Sequence, residues 1–269
     1  MKFAYRIAAA AAIVVLAMTN CVQATAGNGK VLFLEEFDGT DTIPDPAVWK
    51  LCTCSHTVWG RYFENTDGYS NVRVEDGHLV LTADKLNGKY RTGGIRTVGG
   101  FPAGTLLEVK ARIKRVKGGF PAIWQMPIGG KRWPQSGEVD VMEWIQGDPG
   151  SVYQTLHSGY IESGIGASGY TKCTDVDVTE EHIYAAARTE DCIIFYIDGI
   201  ETSRYDNLHL DGGEGLLQYP FTHWDYDIIL NYSFGGVFNG GPTWAGPIDD
   251  SELPGEMWID WVKVSLTEP

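Results

Sequence analysis

Residues 136–144 read Ser136-Gly137-Glu138-Val139-Asp140-Val141-Met142-Glu143-Trp144, which places three carboxylates and little else polar in a short β-prone stretch. In an extended strand Glu138 and Asp140 share one face and Val139 and Val141 the other. Strict alternation would turn Glu143 away from the other acids. A one-residue bulge at Val141 or Met142 resets the parity and brings all three carboxylates together, and bulges are common beside active sites. Clustered carboxylates of this kind suit general acid/base and nucleophilic work.

Side-chain length fits that chemistry. Four strand steps separate the outer Cα atoms by roughly 13 Å, whereas cleavage of a glycosidic bond through a covalent intermediate needs carboxyl groups about 5–5.5 Å apart. Two Glu side chains leaning together on a curved sheet close most of that gap. Asp140 between them keeps the three acids from being charged at once, so one holds a proton near neutral pH and the set titrates together. A solvated acidic edge strand or a calcium site are the plainer alternatives, disfavoured by the flanking Val, Met, Trp and Ile, which imply a strand buried on its other face.

These acids need a sheet to hold them, and the chain is rich in strand signals. Leu107, Val109, Ala111 and Ile113 alternate with Glu108, Lys110, Arg112 and Lys114, as in a half-buried antiparallel strand with one wet face. Further strands are expected at residues 31–37, 72–83 with a turn at Asp76-Gly77, 192–197, 228–234 and 258–264. Asn87-Gly88, Asp198-Gly199 and Asn239-Gly240 mark tight turns. With 33 glycines in 269 residues, many tight connections follow, and the fold class is all-β, a sandwich or jelly roll.

Residues 1–26 read as a signal peptide: Lys2 and Arg6, an apolar run over 7–18, then Ala24-Thr25-Ala26. The run is too short to span a bilayer, and lipoprotein anchoring through Cys21 is disfavoured by the preceding Asn20. A secreted or periplasmic protein is expected, with residues 27–269 as a single domain. Cleavage removes two basic and no acidic residues, moving the net charge from −14 to −16. That balance argues against nucleic acid and anionic membranes as partners. The chain is expected to be a monomer.

Of the four cysteines left after cleavage, Cys173 with Cys192 is the favoured disulfide, because a Cys52–Cys54 bridge would close a very tight loop; four unpaired thiols are the alternative. Nine tryptophans are many, and Trp59, Trp124, Trp133, Trp144 and Trp244 fall near the acids or in loops. Sugar rings pack on indoles, so Trp124 and Trp133 are read as platforms and Trp258 or Trp261 as core. The glycine pattern at residues 164–169 neither follows a strand nor opens a helix, so it is a loop and not a dinucleotide site. Asn231-Tyr232-Ser233 lies inside an expected strand and is discounted as a glycosylation site. His157 reads more readily as structural than catalytic.

Glu138-Val139-Asp140-Val141-Met142-Glu143 resembles the bulged E-x-D-x-x-E signature of glycoside hydrolase family 16, in particular its laminarinase-like bacterial members. The text around residues 71–83, 104–112, 120–124, 155–157 and 258–264 is also similar. The resemblance implies a concanavalin A-like β-jelly-roll with a substrate cleft on the concave sheet. It implies Glu138 as nucleophile, Glu143 as acid/base and Asp140 as assisting carboxylate, with Asn71, Trp124, Trp133, Trp144 and His157 along the cleft. It further implies a structural calcium on the convex side at Glu36, Gly77 and Asp260, and no cofactor for the chemistry. The expected activity is a retaining endo-β-glycosidase on β-1,3- or β-1,3(4)-glucan. An endo-β-1,4-galactosidase acting on mucin-type or other galactose-containing glycans is the alternative, and a non-catalytic lectin is disfavoured because it would not need three clustered acids. The loops at 56–70 and 158–176 and the sequence after Glu143 depart from the family text, which leaves the sugar open.

Overall fold

Chemistry on one concave surface requires a curved sheet backed by a second layer, and period-two sequences joined by Asx-Gly turns supply both. The computed structural model describes residues 29–63, 70–164 and 170–267. The expected signal peptide with Cys21, most of residues 164–169, and parts of the two individual loops lie outside these.

The strands in chain order are β1 (Val31–Glu35), β2 (Trp49–Leu51), β3 (Val72–Glu75), β4 (His78–Leu86), β5 (Lys89–Thr97), β6 (Thr105–Lys114), β7 (Gly119–Pro127), β8 (Glu138–Glu143), β9 (Ser151–His157), β10 (Tyr170–Thr174), β11 (His182–Arg188), β12 (Cys192–Ile197), β13 (Ile200–Asp206), β14 (Tyr226–Phe234), β15 (Val237–Phe238), β16 (Gly241–Pro242) and β17 (Gly255–Leu266). Two short α-helices, α1 (Gly159–Glu162) and α2 (Gly212–Gln218), interrupt them. At Asp76-Gly77, Asn87-Gly88, Asp198-Gly199 and Asn239-Gly240 both residues have positive φ, the backbone of the hairpin turns expected there.

The order β10-β9-β8-β7-β14-β5 forms one curled antiparallel layer, and β4-β17-β6-β11-β12-β13 the other. The chain is an all-β jelly roll. Strand β5 joins the layers: residues 89–92 pair with β4 and residues 93–96 with β14. Gly93 and Gly94 stand at that change of partner. A Cβ on Gly93 would lie 1.9 Å from the Asn71 carbonyl oxygen, and one on Gly94 2.7 Å from the Phe63 ring, so close backbone approach demands glycine.

The main core fills the space between the layers, with Leu79, Leu81, Ile95, Val109, Ile123, Val139 and Leu230 among its members. Strand β6 departs from the expected wet face at one position. Glu108 is buried, and Lys263 of neighbouring β17 holds its carboxylate at 2.6 Å. Trp258 and Trp261 are not core. They lie half-buried on the outer face of β17, where Arg112 stacks on Trp258 and Lys263 on Trp261.

The expected Cys173–Cys192 bridge is absent. Cys173 keeps a free thiol that faces the main core and approaches Gln154 Oε1 at 3.4 Å. Cys192 sits in a separate cluster with Leu106, Ala187 and Ile194, on the other face of its sheet. Strand alternation therefore turns the two sulfurs into different spaces.

Candidate active site

The floor of the concave surface is made by β7, β8 and β14. In β14, Ile228, Leu230, Tyr232 and Phe234 enter the main core, which sends Asn231 and Ser233 to the cleft side. In β7, Ile123 goes inward while Ala122 and Trp124 join a small apolar cluster with Cys52, Phe63 and Ile229 on the cleft side.

Strand β8 carries the expected bulge. Opposite β7, Met142 pairs with Ile123 and Asp140 with Trp124, leaving Val141 without a partner. The same irregularity falls between Asp140 and Glu143 opposite β9. Val139, Val141 and Met142 all enter the core, so two adjacent side chains point inward and Glu143 returns to the face of Glu138 and Asp140. The three acids border one cavity with Trp59, Phe120, Ala122, Trp124 and Asn231.

Hydrogen bonds hold each acid differently. Trp133 Nε1 donates to Glu138 Oε2 at 2.7 Å, and Thr155 Oγ1 donates to Glu143 Oε2 at 3.0 Å. Asp140 is 3% exposed, and its Oδ2 lies 3.4 Å from His157 Nε2. That spacing is close for an ion pair, but the geometry makes no hydrogen bond, and this buried oxygen has no hydrogen-bond partner. On its other side His157 Nδ1 meets Glu162 Oε1 at 2.6 Å.

All three carboxyls are pushed above the ordinary range, chiefly by burial. For Glu138 the charge of Asp140 adds to the rise, against which His157 and the Trp133 donor work. Asp140 is pushed up by burial and by Glu143, with the adjacent Glu138 side chain opposing. Glu143 is raised by burial, with Thr155 and His157 opposing. Crowded, poorly solvated carboxyls of this kind retain protons and can act as acids, bases and nucleophiles near neutral pH.

Aromatic side chains wall the acids on both sides. Trp59 packs edge-on against Trp124, with ring centroids 4.8 Å apart. Trp124 Nε1 donates to Asn231 Oδ1, Asn231 Nδ2 to Ser233 Oγ, and Ser233 Oγ to the Trp59 carbonyl. This wall is therefore rigid. On the opposite side Glu143, Tyr153, Thr155, His157 and Trp244 enclose a wider space of about 450 Å³. Trp133 and Trp244, each half exposed, stand at the rims.

Of the residues expected along the cleft, Trp124, Trp133 and His157 lie beside the acids. Trp144 does not. It is fully buried in the main core, and its Nε1 donates to the Pro149 carbonyl at 3.2 Å. The bulge explains this: once Glu143 regains the cleft face, the next residue must turn inward. Asn71 is buried apart from the acids, where its Nδ2 donates to the Thr82 carbonyl and it borders a separate small cavity with Ser70 and Thr92. Asn231, Phe120, Tyr153 and Glu162 were not singled out from sequence as residues of the site. Alternation in β14 and β9 could have found Asn231 and Tyr153, but only with the strand order in hand.

On the convex side Glu36 is exposed after β1, Gly77 lies in the β3–β4 turn, and Asp260 Oδ2 accepts from Lys110 at 2.8 Å.

The family model for glycosyl hydrolases family 16 matches residues 60–263. Among curated proteins, the chain is 27% identical over 258 residues to the keratan-sulfate endo-1,4-beta-galactosidase of Sphingobacterium multivorum, covering 92% of this chain and 57% of that protein. It is 27% identical over 252 residues to a beta-glucanase of Rhodothermus marinus, covering 87% and 84%. The chain thus spans little more than half the length of the first of these relatives. Among solved structures, it superposes with a TM-score of 0.84 at 51% identity, over 89% of this chain and 100% of the other, on a structure reported for endo-acting O-glycanases that prominent members of the human gut microbiota express to initiate mucin breakdown. It superposes at 0.78 and 28% identity, over 91% and 94%, on SCLam, a non-specific endo-beta-1,3(4)-glucanase.

Proposed function

The chain belongs to glycosyl hydrolase family 16, and from that premise we propose that it is a retaining endo-β-glycosidase that cuts internal β-galactosidic bonds in mucin-type or related galactose-containing glycans. The observation that carries the chemistry is the bulge at Val141, which gathers Glu138, Asp140 and Glu143 on one cleft face. Glu143 protonates the departing glycosidic oxygen while Glu138 attacks the anomeric carbon. Glu143, now charged, removes a proton from water, which releases the sugar from Glu138 with its β configuration kept. Asp140 lies beside Glu138 and Glu143, and its raised pKa limits the charge the three carry.

The galactoside reading rests on the 51% identity over the whole of the mucin O-glycanase structure and on the keratan-sulfate relative. Hydrolysis of β-1,3(4)-glucan is the second reading, supported by the glucanase relatives. Product analysis on mucin O-glycans, keratan sulfate, agarose-type galactan, laminarin and mixed-linkage glucan separates them. Oligosaccharides released only from the two glucans would overturn the galactoside assignment, and proton NMR showing an α-anomer first would overturn retention.

The reading extends to the rest of the protein. Residues 1–26 serve export, residues 27–269 act as one catalytic domain, and the enzyme works as a secreted or periplasmic monomer. No helix among the described residues is long and apolar enough to cross a membrane. On the convex side, register brings Glu36 and Gly77 toward Asp260, since Glu35 pairs with Val262 and Leu79 with Ile259. Carboxylate and carbonyl oxygens suit calcium, and these residues would hold a structural ion that takes no part in the reaction.

A further inference from the structure

The acid cluster contains a nitrogen ligand in a position that hydrolysis does not by itself require. Oxygen atoms of Glu138 and Asp140 and a ring nitrogen of His157 all lie within 4.8 Å of one another. The Asp140 atom, Oδ2, is buried and has no hydrogen-bond partner, yet it faces His157 Nε2 at 3.4 Å. Glu162 occupies Nδ1 at 2.6 Å. In the tautomer that donates from Nδ1 to Glu162, Nε2 and Asp140 Oδ2 face each other as a nitrogen and an oxygen ligand atom.

The Asp140–His157 spacing suits zinc. Zinc bonds to nitrogen and carboxylate oxygen of about 2.0–2.2 Å in a tetrahedron place neighbouring ligand atoms about 3.3–3.5 Å apart, which matches the Asp140–His157 separation. A carboxylate hydrogen-bonded to the far nitrogen of a metal-binding histidine is the usual outer partner of such a site. We propose that His157 Nε2, Asp140 Oδ2 and Glu138 bind a zinc ion, oriented by Glu162, with the fourth position open to the cleft. The bound ion takes the electron pair with which Glu138 would attack the sugar, so it is an inhibitor competing with substrate. Calcium and magnesium, which prefer six or more oxygen ligands or an octahedral shell, do not fit. Binding is independent of the proposed activity; only the inhibition rests on it.

The test is calorimetric titration of Zn²⁺ into the metal-free full chain at neutral pH. One saturable site is expected, undiminished by excess Mg²⁺ or Ca²⁺. His157→Ala should abolish it, and Glu162→Ala should weaken it about 10- to 100-fold, with Glu162→Gln, which keeps an acceptor for Nδ1, recovering most of the loss. Circular dichroism and melting temperature of each variant verify folding. No saturable binding, or binding that survives His157→Ala in a folded variant, overturns the site. Hydrolysis measured in parallel keeps the two ideas apart. An active enzyme indifferent to Zn²⁺ removes the zinc site alone, whereas zinc binding without hydrolysis of any glycan in the panel removes the proposed function alone.

Discussion

Trp133 Nε1 donates to Glu138 Oε2 across 2.7 Å, so a half-exposed indole at the cleft rim is tied to the carboxylate on the cleft floor. The same ring lies 5.5 Å from that of His157. In the proposed mechanism Trp133 would both offer a surface to a sugar and stabilise negative charge on Glu138, and the two roles separate experimentally.

Trp133→Phe keeps an aromatic surface and removes the donor. The donor favours charged Glu138, so its loss lets the Glu138 pKa rise further and moves the acidic limb of the kcat/KM profile to higher pH. A loss of roughly tenfold in kcat/KM is expected, at the low end for a hydrogen bond to a charged group because the indole is half exposed. A profile with an unmoved acidic limb would leave Trp133 as a platform only.

Asp140→Asn should make the protein more stable at neutral pH while abolishing most activity. Burial and Glu143 raise the Asp140 pKa, so the folded state holds a proton that the unfolded chain releases at lower pH. That contribution is fully present below the unfolded value and is lost as pH rises through the folded one. As pH rises above the unfolded value the buried carboxyl costs the fold stability, and Asn, which does not titrate, avoids that cost. Each kcal/mol recovered raises the Tm by about 2–4 °C for a chain of this size. The gain should shrink toward zero in acid; an equal gain at pH 4 and pH 8 would contradict the linkage.

Glu143→Gln removes the proton donor while leaving Glu138 and the cleft in place. Hydrolysis of natural polymer should fall by several orders of magnitude, whereas an aryl glycoside, whose leaving group needs little protonation, should still form the glycosyl-enzyme. Burst kinetics on the aryl substrate would report it. Equal losses on both substrates would exclude Glu143 as the acid.

Trp144→Ala should act on stability and not on binding. The side chain is fully buried, so truncation should cost about 3–5 kcal/mol, read by chemical denaturation. The fraction that remains folded should show an unchanged KM. A raised KM at unchanged stability would place Trp144 in the cleft after all.

The acid face of β8 was legible in the local sequence because strand facing has a period of two and needs no knowledge of the rest of the fold. Glu138 and Asp140 share parity, and the third acid meets them only if one residue is extra. The Asx-Gly hairpin turns were legible for the same reason, since positive φ is a demand on adjacent residues. What only the tertiary structure decided was which layer covers each face. Trp144 and Trp258 have similar strand-like surroundings, yet the bulge drives Trp144 into the core, and Arg112 from a neighbouring strand covers Trp258 outside it. Cys173 and Cys192 likewise face different spaces, the main core and a separate cluster. Asn231, Tyr153 and Glu162 reach the acids through pairings of β14 with β7 and β9 with β8 and through the helix after β9. Such contacts depend on long-range strand order, and side-chain alternation along one strand carries no information about which strand lies beside it.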